Sequence, residues 1–369
     1  MIIKCMKNQL LNGVQTVYKA VPSKTTMSIL ECILITADEN GITLTANDME
    51  IGIETRIEGS VVEEGIIALD ARILFEIVRK LPDSEIIIDT DENLKASITC
   101  EKANFNIIGK SGDDFSYLPE IDKADPVIIS QFTLKEIVRQ TIFSISDNDN
   151  NVIMTGEYME INDDELKLVS LDGHRISIRK VTLKDHYEPK KVIIPGKTLN
   201  EVSKILSGDA DKDLYIYFTD KHVLFEFDQT IVISRLIEGE YFKIDQMLSS
   251  DYETKVEINK KELLDCIDRA TLLIKEGDKK PIIISVNEDN MQLRINSAVG
   301  SMNEEINIHK EGKELMIGFN PKFLIDALRV IDDETISLYM VNPKAPCFIK
   351  NEIETYIYLV LPVNFNTVN

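Results

Sequence analysis

Paired cysteines are absent from this sequence. Its 369 residues include only five cysteines, an odd number, and no two of them form a CxxC pair. Cysteines spaced in this way predict neither a disulfide framework nor a zinc cluster, so we expect reduced thiols. The positions are Cys5, Cys32, Cys100, Cys266 and Cys347.

Long apolar runs are absent as well. No stretch approaches the roughly 20 apolar residues of a membrane span, and the opening MIIKCMKNQ turns polar too early for the core of a signal peptide. Hydrophobic residues make up 44% of the chain and charged residues 28%, as in an ordinary globular protein. We therefore expect a cytoplasmic protein with no membrane partner, long enough for two or three domains.

Complete nucleotide and metal motifs are also lacking. The Gly-Lys pairs at Gly109 and Gly196 do not belong to phosphate-binding loops, because Asn104 and Lys191 stand where the first glycine is required. No GxSxG nucleophile motif occurs, and the four histidines show neither HxxxH nor HExxH spacing. We expect no metal and no cofactor.

The stretch SLDGHRIS, residues 170–177, is the one candidate for acid–base chemistry. Asp172 and His174 lie two residues apart and could share a face, and an Asp–His pair can act in acid–base catalysis. A tight turn is the alternative, since Gly173 permits a positive φ and Asp172 can accept hydrogen bonds from backbone amides. Without a recognisable third partner the turn is favoured, and the competing hypothesis is an enzyme that uses Asp172, His174 and Arg175 on a small acidic substrate.

Helical periodicity recurs at a long interval along the chain. Six segments carry apolar residues at three- and four-residue spacing and form three pairs, whose equivalent members begin about 126 residues apart. Short alternating runs between them, such as GITLTAND and DLYIYFT, predict strands. The predicted helices are residues 7–21, 71–81, 133–143, 197–207, 260–275 and 320–331.

This long repeat predicts three similar α+β domains in a row. We expect them at residues 1–124, 127–250 and 252–369. The first boundary lies near Pro126, which disfavours helix at the preceding residue, and the second lies near Asp251.

Charge is divided unevenly between the predicted helices and the rest. The helices carry 15 lysines and arginines against seven acids, a net charge of +8, which leaves −30 on the remainder of a chain whose net charge is −22. If the helices line one common surface, that surface is basic inside an acidic body, which suits a hole that holds a polyanion. Such contacts would go to phosphates and read no base sequence. A repeat scaffold that binds only proteins is the alternative.

Seven stretches resemble one bacterial family, in the same order and over nearly the whole chain. They are AVPSKTTMSIL, LTANDMEIGIE, SLDGHRISI, VIIPGKTLNEV, SRLIEGEYF, MIGFNPKFLIDAL and YLVLPV. With these stretches the chain resembles the DNA polymerase III β subunit, the sliding clamp or processivity factor. The resemblance implies a non-catalytic α+β protein of three clamp-type domains, each with two helices packed on antiparallel sheets. Two copies would close head to tail into a ring around duplex DNA and tether the replicative polymerase.

The resemblance also implies the contacts of such a ring. DNA would be held without sequence specificity by nine cations from the helix charge count, to which the resemblance alone adds Lys24; the nine are Arg72, Arg79, Lys80, Lys135, Arg139, Lys197, Lys204, Lys261 and Lys322. At the dimer interface Phe105 and Ile107 would meet Leu272 and Leu273, with Lys102 facing acids such as Glu304.

Partner proteins would bind in a cleft between the second and third domains. The polymerase, the clamp loader and repair proteins would insert short peptides that carry a glutamine and apolar anchors. The cleft residues are Met154, Leu171, Gly173, His174, Arg175, Ile176, Phe242, Met247, Pro346, Leu359, Val360, Leu361, Pro362 and Val363. The family pattern often has Pro in place of Phe242 and Arg in place of Gln246, and it commonly ends before the NTVN of this chain. The shape of the cleft is therefore expected to depart from the pattern.

Overall fold

The protein is described by a computed structural model that covers residues 1–116, 118–148, 150–248, 251–275 and 280–365. Within those residues the chain forms six α-helices and 24 β-strands. The helices are α1 (Lys7–Val17), α2 (Ala71–Lys80), α3 (Gln131–Arg139), α4 (Gly196–Ile205), α5 (Lys260–Thr271) and α6 (Pro321–Val330). The strands are β1 (Ile2–Met6), β2 (Cys32–Asp38), β3 (Gly41–Asn47), β4 (Ile51–Ile57), β5 (Ser60–Glu63), β6 (Gly65–Asp70), β7 (Glu85–Thr90), β8 (Lys95–Cys100), β9 (Ala103–Ile108), β10 (Val127–Ser130), β11 (Gly156–Leu171), β12 (Arg175–Pro195), β13 (Asp213–Phe218), β14 (His222–Phe227), β15 (Thr230–Arg235), β16 (Thr254–Asn259), β17 (Ile282–Val286), β18 (Asn290–Ser297), β19 (Gly300–Asn307), β20 (His309–Gly312), β21 (Leu315–Phe319), β22 (Thr335–Met340), β23 (Cys347–Lys350) and β24 (Tyr356–Val360).

The chain divides into two compact units. Unit 1 comprises residues 1–133 and 201–236, and unit 2 comprises residues 134–200 and 237–369. Unit 1 contains a five-stranded sheet in the order β5-β1-β7-β8-β9 and an eight-stranded sheet in the order β10-β13-β14-β15-β4-β3-β2-β6. In the larger sheet β15 pairs antiparallel with β4, so strands from both sides of Pro126 share one sheet.

Helix α1 shows why the apolar spacing in unit 1 produces a packed helix. Leu10, Val14 and Val17 fall on one face at intervals of four and three residues, and all three are buried. Gly13 lies on the same side, where an added Cβ would come within 2.5 Å of the side chain of Ile57. The glycine therefore allows the helix to approach the sheet closely.

Unit 2 is built in the same way from two sheets and a helix pair. A seven-stranded sheet runs in the order β11-β12-β24-β23-β22-β16-β20, and a four-stranded sheet in the order β19-β18-β17-β21. Strand β12 pairs antiparallel with β24, with Ile176 opposite Leu359. The side chain of Asn259 caps α5 by accepting the N–H of Glu262 at 3.0 Å, and Asn320 caps α6, which begins with Pro321.

The six predicted helices are confirmed, but all of them end earlier than predicted. Helix α1 ends at Val17 and continues as a 3₁₀ turn over Tyr18–Ala20, and after α3 a 3₁₀ turn covers Ile142–Ser144. A 3₁₀ turn has three residues per turn, so apolar spacing of three persists through it and the sequence pattern does not show where the α-helix stops.

The predicted strands are confirmed, and the domain boundaries stay predictions. The runs GITLTAND and DLYIYFT form β3 and β13. Residues 249 and 250, at the second boundary, and the terminal NTVN lie outside the described part of the chain. None of the helices in the described ranges is long and apolar enough to cross a membrane.

Candidate functional site

The turn between β11 and β12 shows what Asp172 does. Gly173 has a φ of +84°, which a glycine adopts without steric cost. The Asp172 carboxylate accepts the backbone N–H of His174 at 2.9 Å and that of Arg175 at 3.1 Å. The carboxylate therefore closes the turn and does not orient the His174 ring, which stacks on Phe323 at a centroid distance of 6.0 Å.

Arg175 is held by its own chain on every side. Its Nε donates to Asp172 at 2.9 Å, its Nη1 to Asp326 at 2.6 Å and its Nη2 to the carbonyl oxygen of Phe143 at 2.5 Å. The guanidinium also lies over the Phe323 ring, 4.6 Å from its centroid. Arg175 is 7% exposed, so this cation is almost fully withdrawn from water.

A cavity of about 370 Å³ opens beside this turn, within unit 2. Eleven of the 14 residues predicted for the cleft line it, and its walls are largely apolar. The lining residues are Met154, Leu171, Gly173, His174, Arg175, Ile176, Phe242, Met247, Pro346, Leu359 and Leu361. We refer to this cavity as the cleft; its volume falls in the range of pockets that hold a small molecule or a peptide anchor.

The other three predicted residues lie outside the cleft lining. Val360 is 1% exposed and belongs to the core of the helix pair and the four-stranded sheet, because successive side chains of a strand point to opposite faces. Pro362 and Val363 follow the strand, and the N–H of Val363 donates to the carbonyl of Gly318 at 2.8 Å. That bond draws the chain away from the cavity toward β21.

One wall of the cleft rests on a row of aromatic rings. Phe242 meets Tyr241 edge-on at 5.6 Å, and Tyr241 stacks on Tyr158 at 4.9 Å. Burial raises the pKa of Tyr241 far above its ordinary value, so its hydroxyl stays neutral and can donate to the carbonyl of Val169. Phe242, at the position where the family often has proline, is thus an aromatic ring that packs against Tyr241.

A group of paired charges holds the segment next to Met247. Lys167 contacts Glu160 at 3.1 Å and Asp245 at 3.4 Å, and Lys191 contacts the second oxygen of Glu160 at 3.1 Å. Burial acts to raise the pKa of Glu160, but the hydrogen bonds from Lys191 and Lys167 prevail and lower it. Glu160 therefore stays ionised and anchors both lysines.

Glu157, three residues before Glu160, has the opposite environment. Its side chain is fully buried, and burial raises its pKa from 4.5 to about 8 although the Thr141 hydroxyl donates to Oε2 at 3.3 Å. Its Oε1 has no hydrogen-bond partner among the described residues. At neutral pH this carboxyl is mostly protonated.

The ten cations predicted to face DNA are largely solvent-exposed. Only Lys135 and Arg139 are half-buried; the other eight are exposed. Several form ion pairs along their own helix, such as Arg79 with Glu76 at 2.7 Å. Lys24, Arg72 and Lys322 have no ion-pair partner within the described ranges. Lys24 was implied by the resemblance alone, because it lies outside the predicted helices.

The residues predicted for the dimer interface lie at or beside the edges of two sheets. Strand β9 ends the five-stranded sheet of unit 1, with Phe105 41% exposed, and β19 ends the four-stranded sheet of unit 2. Leu272, just after α5, is 81% exposed, whereas Leu273 is half-buried against the core. Ile107 is half-buried as well, and its neighbour Ile108 is 83% exposed.

Two features of these edges were not predicted from the sequence. Ile108 is the more exposed of the two isoleucines, and strand alternation next to Ile107 was a usable signal for it. Glu304, which was expected to face Lys102, is already paired with Arg269, whose hydrogen bond is the main cause of the lowered pKa of Glu304. No group of metal-binding side chains occurs in the described ranges.

Comparison with protein families places three consecutive matches along the chain. Residues 1–119 match the N-terminal domain of the DNA polymerase III beta subunit, residues 128–243 its central domain and residues 245–364 its C-terminal domain. A protein named Beta sliding clamp from Staphylococcus epidermidis is 35% identical over an alignment of 368 positions, which covers 97% of each chain.

Solved structures show the same similarity. A structure described as a DNA polymerase III beta subunit from Eubacterium rectale has 66% sequence identity and a TM-score of 0.96, covering 99% of this chain and 100% of that one. The DNA polymerase sliding clamp from Bacillus subtilis has 33% identity and a TM-score of 0.95, with the same coverage. The α+β fold class with three clamp-type domains is thereby confirmed.

Proposed function

The chain belongs to the DNA polymerase III beta subunit family of sliding clamps, and we propose that the cleft of unit 2 is where its partners insert short linear peptides. As a sliding clamp it is a non-catalytic accessory subunit that encircles duplex DNA and keeps the polymerase at its template. The hypothesis of an enzyme built on Asp172 and His174 is therefore wrong. A cytoplasmic location is part of this proposal.

The observation that carries the peptide proposal is the composition of the cleft lining. The side chains of Met154, Phe242, Met247 and Leu359 surround the cavity, and methionines adapt their shape to different apolar ligands. Among the described residues of the lining, only His174 and Arg175 bring polar side-chain groups. Such a surface suits apolar anchors of a peptide, as buried pockets at protein interfaces do.

We propose that the exposed helix cations contact DNA phosphates. Arg72 on α2 and Lys322 on α6 are exposed and have no ion-pair partner in the described chain, so no internal pair must break when a phosphate binds. Neutralisation of phosphates by such cations releases counterions and reads no base sequence. The remaining predicted DNA contacts have the same role in this proposal.

Dimer formation follows from the family, and we propose that the edge strands β9 and β19 form the contact. Each ends its sheet and exposes unpaired backbone groups, which favour pairing with another chain. The exposed Phe105 and Leu272 would be covered there. The three predicted domains, residues 1–124, 127–250 and 252–369, are part of the same proposal.

The proposed ring can be tested by comparing how long the protein stays bound to circular DNA and to linear DNA. Clamp loaded onto closed circular DNA is expected to remain bound far longer than on the same DNA after linearisation, because a ring can leave only over a free end. Equal lifetimes on both forms would reject the encirclement. A Leu272→Asp variant, which places a charge at the proposed contact, should shorten the lifetime on circles and shift the protein toward monomer in light scattering.

A further inference from the structure

The edge strand β9 carries no charged side chain; its sequence is ANFNII. Phe105 lies opposite Ile98 of the neighbouring strand β8, and Ile98 is fully buried. Directly opposite residues of an antiparallel pair share one face, so Phe105 points to the core face of the five-stranded sheet. Successive side chains alternate between the faces, which puts Asn104 and Asn106 on the outer face. This edge therefore offers apolar groups on one side and amides on the other.

The edge strand β19 carries two glutamates, which lie on opposite faces of its sheet. Glu304 lies opposite the fully buried Leu293 and is therefore on the core face. Asn303 and Glu305 alternate onto the outer face. Arg269 of α5 binds both oxygens of Glu304, since its Nε donates to Oε2 at 3.0 Å and its Nη2 donates to Oε1. This pairing lowers the pKa of Glu304, so the carboxylate stays ionised and its charge is compensated within its own chain.

The two faces limit which side chains can meet when β9 of one copy pairs with β19 of another. A continuous sheet buries its apolar side chains on one face, so outer-face residues of one strand meet outer-face residues of the other. Asn104 and Asn106 thereby meet Asn303. Phe105 comes to the core face, where α5 contacts β19 and the exposed Leu272 follows the helix. Both faces of the contact are thus lined mainly by neutral side chains.

We propose that two copies associate through neutral side chains, apolar on the core face and amide on the outer face, and that the dimer therefore becomes tighter as the salt concentration rises. The inference rests on the proposed contact of β9 with β19. Each copy has a net charge of −22, so two copies repel each other. Salt screens this repulsion, whereas it would weaken ion pairs across the contact. The sign of the salt dependence therefore distinguishes the two kinds of contact.

Lys102 is the cation that the resemblance places at this contact. Its expected partner Glu304 is already bound by Arg269. A pair of Lys102 with Glu305 would join two exposed side chains and contribute little to association, because water and salt screen both groups. Lys102→Gln is therefore expected to change the dimer Kd by less than about twofold. Phe105→Ala, which removes an apolar contact, should raise the Kd about tenfold or more.

The experiment measures the dimer Kd of the full chain by analytical ultracentrifugation. We expect the Kd of the wild-type protein to fall about threefold or more between about 0.05 and about 0.5 M NaCl. Asn303→Asp keeps the size of the side chain and adds a carboxylate to the outer face, so it should raise the Kd about tenfold at the lower salt concentration and less at the higher one. The matched control Asn40→Asp adds the same charge at an exposed turn of unit 1 and should raise the Kd by less than about twofold.

The outcomes separate this inference from the proposed function. If the wild-type protein is monomeric at both salt concentrations, the proposed dimer contact itself is rejected. If a dimer forms but its Kd stays constant or rises with salt, or if Lys102→Gln weakens it as much as Phe105→Ala does, ion pairs hold the dimer and the neutral contact is rejected. Equal effects of Asn303→Asp and Asn40→Asp at low salt would reject the place of Asn303 on the outer face of the contact. A Kd that falls with salt, together with a selective effect of Asn303→Asp, supports the inference.

Discussion

Cations in the cleft of unit 2 and cations on the exposed faces of the helices have opposite surroundings. In the cleft the Arg175 side chain is 8% exposed and bound to two aspartates. On the helices Arg72 and Lys322 are exposed and, within the described chain, have no ion-pair partner. The first arrangement uses a cation to fix the shape of an apolar pocket, and the second leaves cations available to an external polyanion. Under the proposed function, one chain would therefore hold DNA by charge and partners by apolar contact.

Reversal of helix charges is expected to give the largest effect. Arg72→Glu combined with Lys322→Glu should weaken the affinity of the unloaded protein for duplex DNA by at least about tenfold at moderate salt, because two phosphate contacts become repulsive. Peptide affinity of the cleft should change little. Titrations with duplex DNA and with peptide measure the two effects on the same sample.

The control for that variant reverses two exposed lysines outside the helices. Lys221→Glu with Lys184→Glu changes the net charge by the same amount, and both side chains are exposed. If this control weakens the affinity for duplex DNA as much as the helix variant does, net charge and not the helix surface governs DNA binding. The contrast between the helix faces and the rest of the chain would then be lost.

Truncation of His174 is expected to give a smaller effect, confined to the cleft. His174→Ala removes a ring that lines the cavity and stacks on Phe323, so peptide affinity should fall about three- to tenfold. Because the lost contact is mainly apolar, the factor should be nearly the same at low and high salt. Titration at two salt concentrations measures it, and light scattering should show an unchanged dimer. Loss of the dimer with intact peptide affinity would reject the placement of His174 in the cleft.

The two regions differ in how far the sequence could predict them. The basic helices could be predicted because the apolar periodicity and the charge of each helix can be read from its own segment of the sequence. The environment of Arg175 depends on Asp326, 151 residues away, and on the carbonyl of Phe143, 32 residues away. Such pairs arise only when the sheet brings β12 and α6 together. The resemblance supplied the lining of the cleft but none of these supporting contacts.

Glu157 is a case in which a local signal existed and was missed. Along β11 the side chains of Glu157, Met159 and Ile161 alternate onto one face, and the two apolar ones are at most 1% exposed. The alternation of side chains along a strand therefore predicts that Glu157 lies on the buried face of β11 and Glu160 on the opposite face. The sequence could not show that Glu157 lacks a cationic partner among the described residues, because this depends on what packs against that face of the strand.

Glu157→Gln is expected to leave both binding surfaces unchanged and to alter only the pH dependence of stability. Since the pKa of Glu157 rises from 4.5 in an unfolded chain to about 8 in the fold, folding takes up a proton between these values. The contribution of Glu157 to the stability of the wild-type protein is then full below about pH 4.5 and is lost as the pH rises toward 8. Glutamine cannot ionise, so the variant should melt a few degrees higher than wild type at pH 8 and at nearly the same temperature at pH 5.

Glu160→Gln is the matched control on the opposite face of the same strand, with the opposite sign. Hydrogen bonds from Lys191 and Lys167 lower the pKa of Glu160, so its contribution is present above its unfolded value and is lost in acid. Removal of this charge should lower the melting temperature at neutral pH, by an amount that shrinks as the solution is acidified. If both variants changed the melting curves in the same direction at pH 8, the assignment of Glu157 as a buried neutral carboxyl would be wrong, since burial acts on both carboxyls and only Glu160 has lysine partners that keep it ionised.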